Sequence, residues 1–214
     1  MELKKLKARK AKIKRDTKEV RIKGEFNLDG SGKSSISTGI RFLDHMLDLF
    51  TKHGAFDLKL KADGDTDIDL HHTNEDVGLA LGDAFNAAIG DKKGIRRMGA
   101  AFVPMDETLS QVRCVLDVSG RPYFTLGWLA KQKPAKFRKG STYRPIPYDL
   151  HDAKHFLGSF VQRAGLTVHV DVLKAGGDIH HLLESVFKAF GRSLRQAVEH
   201  DSRVKGVPST KGKL

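Results

Sequence analysis

Two short stretches of the chain carry side chains able to hold a metal ion, and each repeats the other. Residues 71–75 read His-His-Thr-Asn-Glu and residues 180–184 read His-His-Leu-Leu-Glu. A glycine follows each glutamate by seven residues, at Gly82 and Gly191. On a helix, positions i and i+4 share a face, so His71 with Glu75, and His180 with Glu184, can each chelate one ion. The adjacent His72 and His181 point about 100° away and are free to complete the other copy's site. Upstream, His45 stands 26 residues before His71, and His155 stands 25 before His180. That shared register makes both candidate ligands too. Imidazole with carboxylate suits a first-row divalent ion such as Mn, Fe, Co, Ni or Zn.

The elements that must position these groups follow from periodicity. FLDHMLDLFTKHG places apolar residues at 42, 43, 46, 47 and 50, one face of a helix. Asp44 and His45 lie beside that face, and His53 falls near the stop at Gly54. The HHTNE copy leads into a helix to Ile89, and the HHLLE copy into one reaching about Glu199. HDAKHFLGSFVQRAG reads as the helix that carries His155. VRIKGEFN alternates Val20, Ile22 and Phe26 with charge before a turn at Asp29-Gly30, and SSIS, AFDLKLKADG, the start of DTDIDL and LTVHVDV read as further strands. GAAFVPMDETLSQVRCVLDVSGRPYFTLGW reads as two long strands joined at Ser-Gly-Arg-Pro. Asp106, Glu107 and Arg121 are its polar residues best placed to face a site. Glu19 starts a strand. In GDKKGIRRMG, Arg96 and Arg97 could hold a phosphate. So could Ser209, Thr210 and Lys211 in the glycine-flanked tail, where hydroxyls, free backbone N–H groups and an ammonium suit an anion.

Composition limits the function classes. The 214 residues are 39% hydrophobic, enough for a real core, with no run approaching the roughly 18 residues of a membrane span. The charged start lacks the apolar centre of a signal peptide, and the single cysteine, Cys114, can form no intrachain disulfide, so a cytoplasmic address is expected. Of the +12 net charge, residues 1–15 hold +7 and residues 131–144 hold +6, leaving −1 on the rest. That balanced body weighs against a nucleic-acid-binding face. The chain divides into a basic N-terminal arm at 1–14, frayed or helical, a first half-repeat at 15–94 and a second at 95–214. The second half carries a basic loop at 129–148 and the candidate phosphate-binding tail.

FLDHML at 42–47, HHTNED at 71–76, GIRR at 94–97, SGRP at 119–122, HHLLE at 180–184 and PSTKG at 208–212 together resemble the imidazoleglycerol-phosphate dehydratase family, in its order. The resemblance runs from about Arg15 to the C-terminus. It implies an α+β fold made of an internally duplicated half-domain (ribosomal protein S5 domain 2-like), two small mixed sheets with helices packed between them. It implies two Mn(2+) ions per active site and a 24-subunit homo-oligomer with metal sites between subunits. Carried over, one ion is held by His45, His72, His180 and Glu184, and the other by His71, Glu75, His155 and His181. Substrate contacts fall on Glu19, His53, Arg97, Arg121, Lys188, Ser209 and Lys211. The chain departs from the family pattern at Lys154, where glutamate is common, at Val20, where threonine is usual, and in a longer basic segment before the second half.

The implied reaction removes water from imidazoleglycerol phosphate to give imidazoleacetol phosphate in histidine biosynthesis. The two metals would grip both ring nitrogens of the substrate as imidazolate, acting as Lewis acids and template. A proton must also move at a weakly acidic carbon, for which Glu19 is the first candidate and Asp106 the second. The competing reading is a dinuclear metal-dependent phosphoester hydrolase using the same ligands, although such sites usually carry bridging aspartates.

Overall fold

A computed structural model describes residues 9–105, 108–128, 148–173 and 178–214. Each half of the chain runs through the same order of elements, three strands, a helix, a strand and a helix. In the first half these are β1 (Lys10–Asp16), β2 (Val20–Asn27), β3 (Ser34–Ser37), α1 (Arg41–Gly54), β4 (Asp57–Gly64) and α2 (His71–Ile89). In the second they are β5 (Met98–Met105), β6 (Thr108–Asp117), β7 (Tyr123–Trp128), α3 (Leu150–Ala164), β8 (Thr167–Val172) and α4 (Ile179–Val198). The two four-stranded sheets share one topology, β1-β2-β4-β3 and β5-β6-β8-β7. In each, the third strand alone runs parallel to its neighbour, β3 beside β4 and β7 beside β8.

Alternation fixes which face of each sheet is covered. Val20, Ile22 and Phe26 of β2 are buried, as are Leu58, Leu60 and Ala62 of β4, while the residues between them point outward. Three helices from both halves then meet in one aromatic cluster. Phe50 of α1 stacks on Phe190 of α4 with ring centroids 5.5 Å apart, and Phe160 of α3 meets Phe190 edge-on at 5.3 Å. The halves therefore share a core, and neither would keep its apolar surface covered alone.

The helices exchange partners between halves, and the duplicated glycine allows it. α1 packs on α4 and α2 packs on α3. A Cβ at Gly191 would sit 2.5 Å from the Phe50 carbonyl oxygen of α1, and one at Gly82 would sit 2.5 Å from that of Phe160 in α3. Both contacts are with backbone, which cannot swing aside. Gly82→Ala or Gly191→Ala is thus expected to push a helix pair apart at a cost of about 1–3 kcal/mol, the usual penalty for overpacking. A fall in Tm measured for each variant checks this.

Three sequence expectations change here. Residues 10–14, read as part of an undocked arm, belong to β1, which pairs antiparallel with β2 along its whole length. Arg9 adds an ion pair to Asp29 at 2.6 Å, and Arg15 pairs with the buried Asp76 of α2 at 2.6 Å. The stretch read as two long strands holds three: the run before Ser-Gly-Arg-Pro is two strands, β5 and β6, which pair antiparallel with each other, and β7 follows and pairs with β8. The start of DTDIDL is a turn leading into α2 instead of a strand, held by backbone bonds from the Ile68 and Asp69 N–H groups to the Asp65 carbonyl oxygen. Residues 1–8, most of the basic loop (129–147), Asp106 and Glu107 lie outside the described residues.

Candidate metal centre

The helix exchange brings the upstream histidine of each half onto the His-His helix of the other. His45, on α1, places Nε2 2.8 Å from Oε1 of Glu184 on α4, and His180 Nε2 lies 3.1 Å from the same oxygen. One ligand atom from each of the three lies within 4.8 Å of the others. First-row metal–ligand bonds of about 2.1 Å put neighbouring corners of an octahedron about 3 Å apart, so this donor set fits a divalent ion. The second cluster is the same exchange in the other direction. His71 Nε2 of α2 lies 3.4 Å from Oε2 of Glu75, and the His71 ring lies 4.7 Å from that of His155 on α3.

Local sequence explains why the histidines start their helices. An aspartate stands two residues before the first histidine of each pair, and its carboxylate accepts that histidine's backbone N–H. Asp69 does so from His71 and Asp178 from His180, both at 2.8 Å. Each satisfies an N–H that the first turn leaves open. The pattern Asp-x-His-His was visible in both copies and was missed. α3 begins with a full capping box, Asp149 against Asp152. The starts of α2 and α3 are tied through Asn74, which accepts from the buried Tyr148 hydroxyl at 3.0 Å and donates to the Asp152 carbonyl oxygen at 2.9 Å. That tie fixes His71 and Glu75 relative to His155.

Glu184 is the buried charge of the first cluster. Burial alone would raise its pKa, but hydrogen bonds from His45, Lys188 and His180 outweigh it and bring the value down to about 2. In the metal-free protein its contribution to stability is therefore complete above the ordinary value of 4.5 and is lost as pH falls towards about 2. Lys188, one turn along α4, donates to Oε2 at 3.0 Å, so the two carboxylate oxygens face different partners. Burial, and then the charges of Lys188 and Arg192, hold His53 below its usual value. Phe42, expected on the core face of α1, is only partly buried; its ring meets His180 edge-on at 5.1 Å and lies 5.4 Å from Tyr148, walling the first cluster.

The remaining sequence candidates divide by position. His72 and His181 set their rings nearly perpendicular to those of His71 and His180, at 79° and 83° with centroids 6.0 Å apart. His72 Nδ1 bonds Asp65 Oδ2 at 3.0 Å, while Glu19 Oε2 is 4.0 Å away. That bond and the Glu19 charge raise the His72 pKa. His151, not singled out from sequence, lies tilted at 50° against His155 with centroids 4.4 Å apart. Arg97 has a left-handed backbone, φ 73°, and grips Asp117 with two nitrogens at 2.7 and 2.9 Å. Its third nitrogen donates to the Pro208 carbonyl oxygen at 2.8 Å, so Arg97 anchors the tail that carries Ser209 and Lys211. In the Ser-Gly-Arg-Pro turn, the Ser119 and Thr167 hydroxyls donate to the Arg121 carbonyl oxygen, each at 3.0 Å, and the Arg121 side chain is exposed.

A duplicated α+β fold with paired His-Glu clusters where its halves exchange helices defines a metal-dependent enzyme class. The comparisons specify which. The family model for imidazoleglycerol-phosphate dehydratase matches residues 38–194. The imidazoleglycerol-phosphate dehydratase of Aromatoleum aromaticum is 51% identical over 210 residues, covering 96% of this chain and all of that one. That of Geobacter sulfurreducens is 49% identical over 208 residues, covering 97% of this chain and all of its own. Among solved structures, the Staphylococcus aureus enzyme superposes with a TM-score of 0.72 at 36% identity, covering 90% of this chain and 99% of that one. The Pyrococcus furiosus enzyme, in complex with (S)-C348, gives 0.73 at 30% identity, covering 94% and 99%. The chain belongs to the imidazoleglycerol-phosphate dehydratase family, lyases of histidine biosynthesis.

Proposed function

We propose that this chain dehydrates imidazoleglycerol phosphate to imidazoleacetol phosphate with two Mn(2+) ions, as a cytoplasmic 24-subunit particle whose metal sites are completed between subunits. The observation that carries the reading is the pair of three-residue clusters, His45–His180–Glu184 and His71–Glu75–His155, each built across the two halves. Three protein donors leave an ion with open positions, which a fourth histidine and the substrate would fill. His72 and His181, their rings nearly perpendicular to those of His71 and His180, would supply that fourth ligand to neighbouring copies. Bound at these positions, divalent ions supply Lewis acidity to the nitrogens of the substrate imidazole and favour its anionic form.

The chain's own residues then handle protons and the phosphate. Glu19, exposed beside His72, moves the proton at the carbon next to the departing hydroxyl. Asp106 is the alternative acid/base. Lys188 holds Glu184 in its charged state and, with His53, offers cationic and hydrogen-bonding contacts towards the substrate. Arg97 keeps the tail in place, and Arg121, Ser209 and Lys211 bind the phosphate. The direct assay follows ketone formation from imidazoleglycerol phosphate with purified protein, before and after metal removal. Ketone without inorganic phosphate supports the reading. Phosphate release without ketone contradicts it and favours the hydrolase.

A further inference from the structure

We infer that Asp65 is a positioning residue for His72: it takes the Nδ1 proton, so that Nε2 is presented outward as a ligand and Glu19 is left free for chemistry. The inference rests on the reading of His72 as a ligand to a neighbouring copy's metal. Asp65 lies in the turn between β4 and α2, and its backbone is fixed on both sides. Its N–H donates to the Glu19 carbonyl oxygen at 3.3 Å, and its own carbonyl oxygen accepts the Ile68 N–H at 2.9 Å. The side chain is 18% exposed, with Oδ2 3.0 Å from His72 Nδ1. A carboxylate only accepts, so the bonded ring nitrogen carries the hydrogen and the lone pair of the neutral ring sits on Nε2. The His72 ring is 40% exposed, which leaves Nε2 reachable from outside the chain.

The contact also settles a competition. Glu19 Oε2, at 4.0 Å from the same nitrogen, is the other carboxylate able to claim that proton. Asp65 reaches hydrogen-bonding distance and Glu19 does not. Oδ1 of Asp65 is buried and accepts from none of the described residues, so the histidine is the one side-chain donor this carboxylate has among them. A carboxylate behind a ligating imidazole fixes its tautomer and orientation and strengthens it as a donor. With Asp65 removed, the ring is free to turn towards Glu19, which would misplace the ligand and occupy the acid/base together.

The test compares Asp65→Ala, Asp65→Asn and His72→Ala by Mn(2+) titration of the stripped protein, read by the loss of the free-ion EPR signal, with Tm measured alongside. Asp65→Ala should weaken one class of site by about 10–100-fold, the usual cost of losing such a partner. Asp65→Asn, whose amide oxygen still accepts from Nδ1–H, should recover part of that loss. A merely structural role predicts equal damage from both or a change in Tm alone. Wild-type affinity in Asp65→Ala beside weakened binding in His72→Ala overturns the positioning role and leaves the ligand assignment standing. Full binding in His72→Ala overturns the ligand assignment, and this inference with it. If Asp65→Ala does not fold, Asp65→Asn decides: it should bind more weakly than wild type, and equal affinity overturns the proposal.

Discussion

Replacing Glu184 with glutamine is expected to empty the first cluster of metal and abolish measurable dehydration, with the second cluster still loading. Glu184 is the charge of its cluster: His45 and His180 both point Nε2 at one of its oxygens, at 2.8 and 3.1 Å. The amide keeps the shape but loses the charge that holds a divalent ion. The loss should exceed the roughly 10–100-fold that outer partners cost, because this group contacts the ion itself. The substitution also leaves the Lys188 ammonium, 13% exposed, without the carboxylate that it reaches at 3.0 Å, so a lowered Tm is expected as well. Elemental analysis per chain, together with turnover, separates the two effects. Restoring the fold with stabilising salt should bring back Tm and not activity.

Glu19→Gln should have the opposite signature. The side chain is 54% exposed, with no carboxylate–cation contact in the described residues except the 4.0 Å approach to His72. Folding, assembly and metal content should therefore stay at wild-type values. Turnover should fall by about 10²–10⁴, the range of a lost general acid/base, with KM little changed. Retained turnover would move the role to Asp106, the other acid that the sequence offers.

Much of this site could be read from residue order because a duplication displays its own register. His45 and His155 each precede a His-His pair at nearly equal distance, and the structure seats each on the pair of the opposite half. The glycine seven residues after each glutamate was visible as a pattern, but its cause was not. Only the packing shows Gly82 against the Phe160 carbonyl and Gly191 against that of Phe50. β1 escaped notice because Lys10, Lys12 and Lys14 alternate with Ala11 and a single buried residue, Ile13. Lysines on an edge strand deter pairing with other chains, and the same lysines make it resemble a solvated arm. β5 and β6 were read as one strand because the sequence from Met105 to Thr108 holds no glycine and no Asn-Gly or Asp-Gly pair to mark a turn.

The roles that sequence reading passed over share one property: each is played on a different element of the fold from the one that carries the residue, or through backbone. Asp65 reaches His72 across a turn, Tyr148 reaches Asn74 from 74 positions away, and Phe42 turns from the core to the histidines. Periodicity registers apolar faces and says nothing of a carboxylate that bends back on the next element. Asp69 and Asp178 are the exception, since their spacing before each His-His pair repeats.

The most direct check on the central claim is the metal content of the assembled particle. Purified protein should be stripped by chelator, sized, reloaded with Mn(2+) and counted for ions per chain while turnover is followed. Two ions per chain, with ketone formation rising in step with loading and falling to background when stripped, is the predicted result. Undiminished turnover from stripped protein, or a loaded particle in which His72→Ala and His181→Ala still bind two ions per chain, would contradict it.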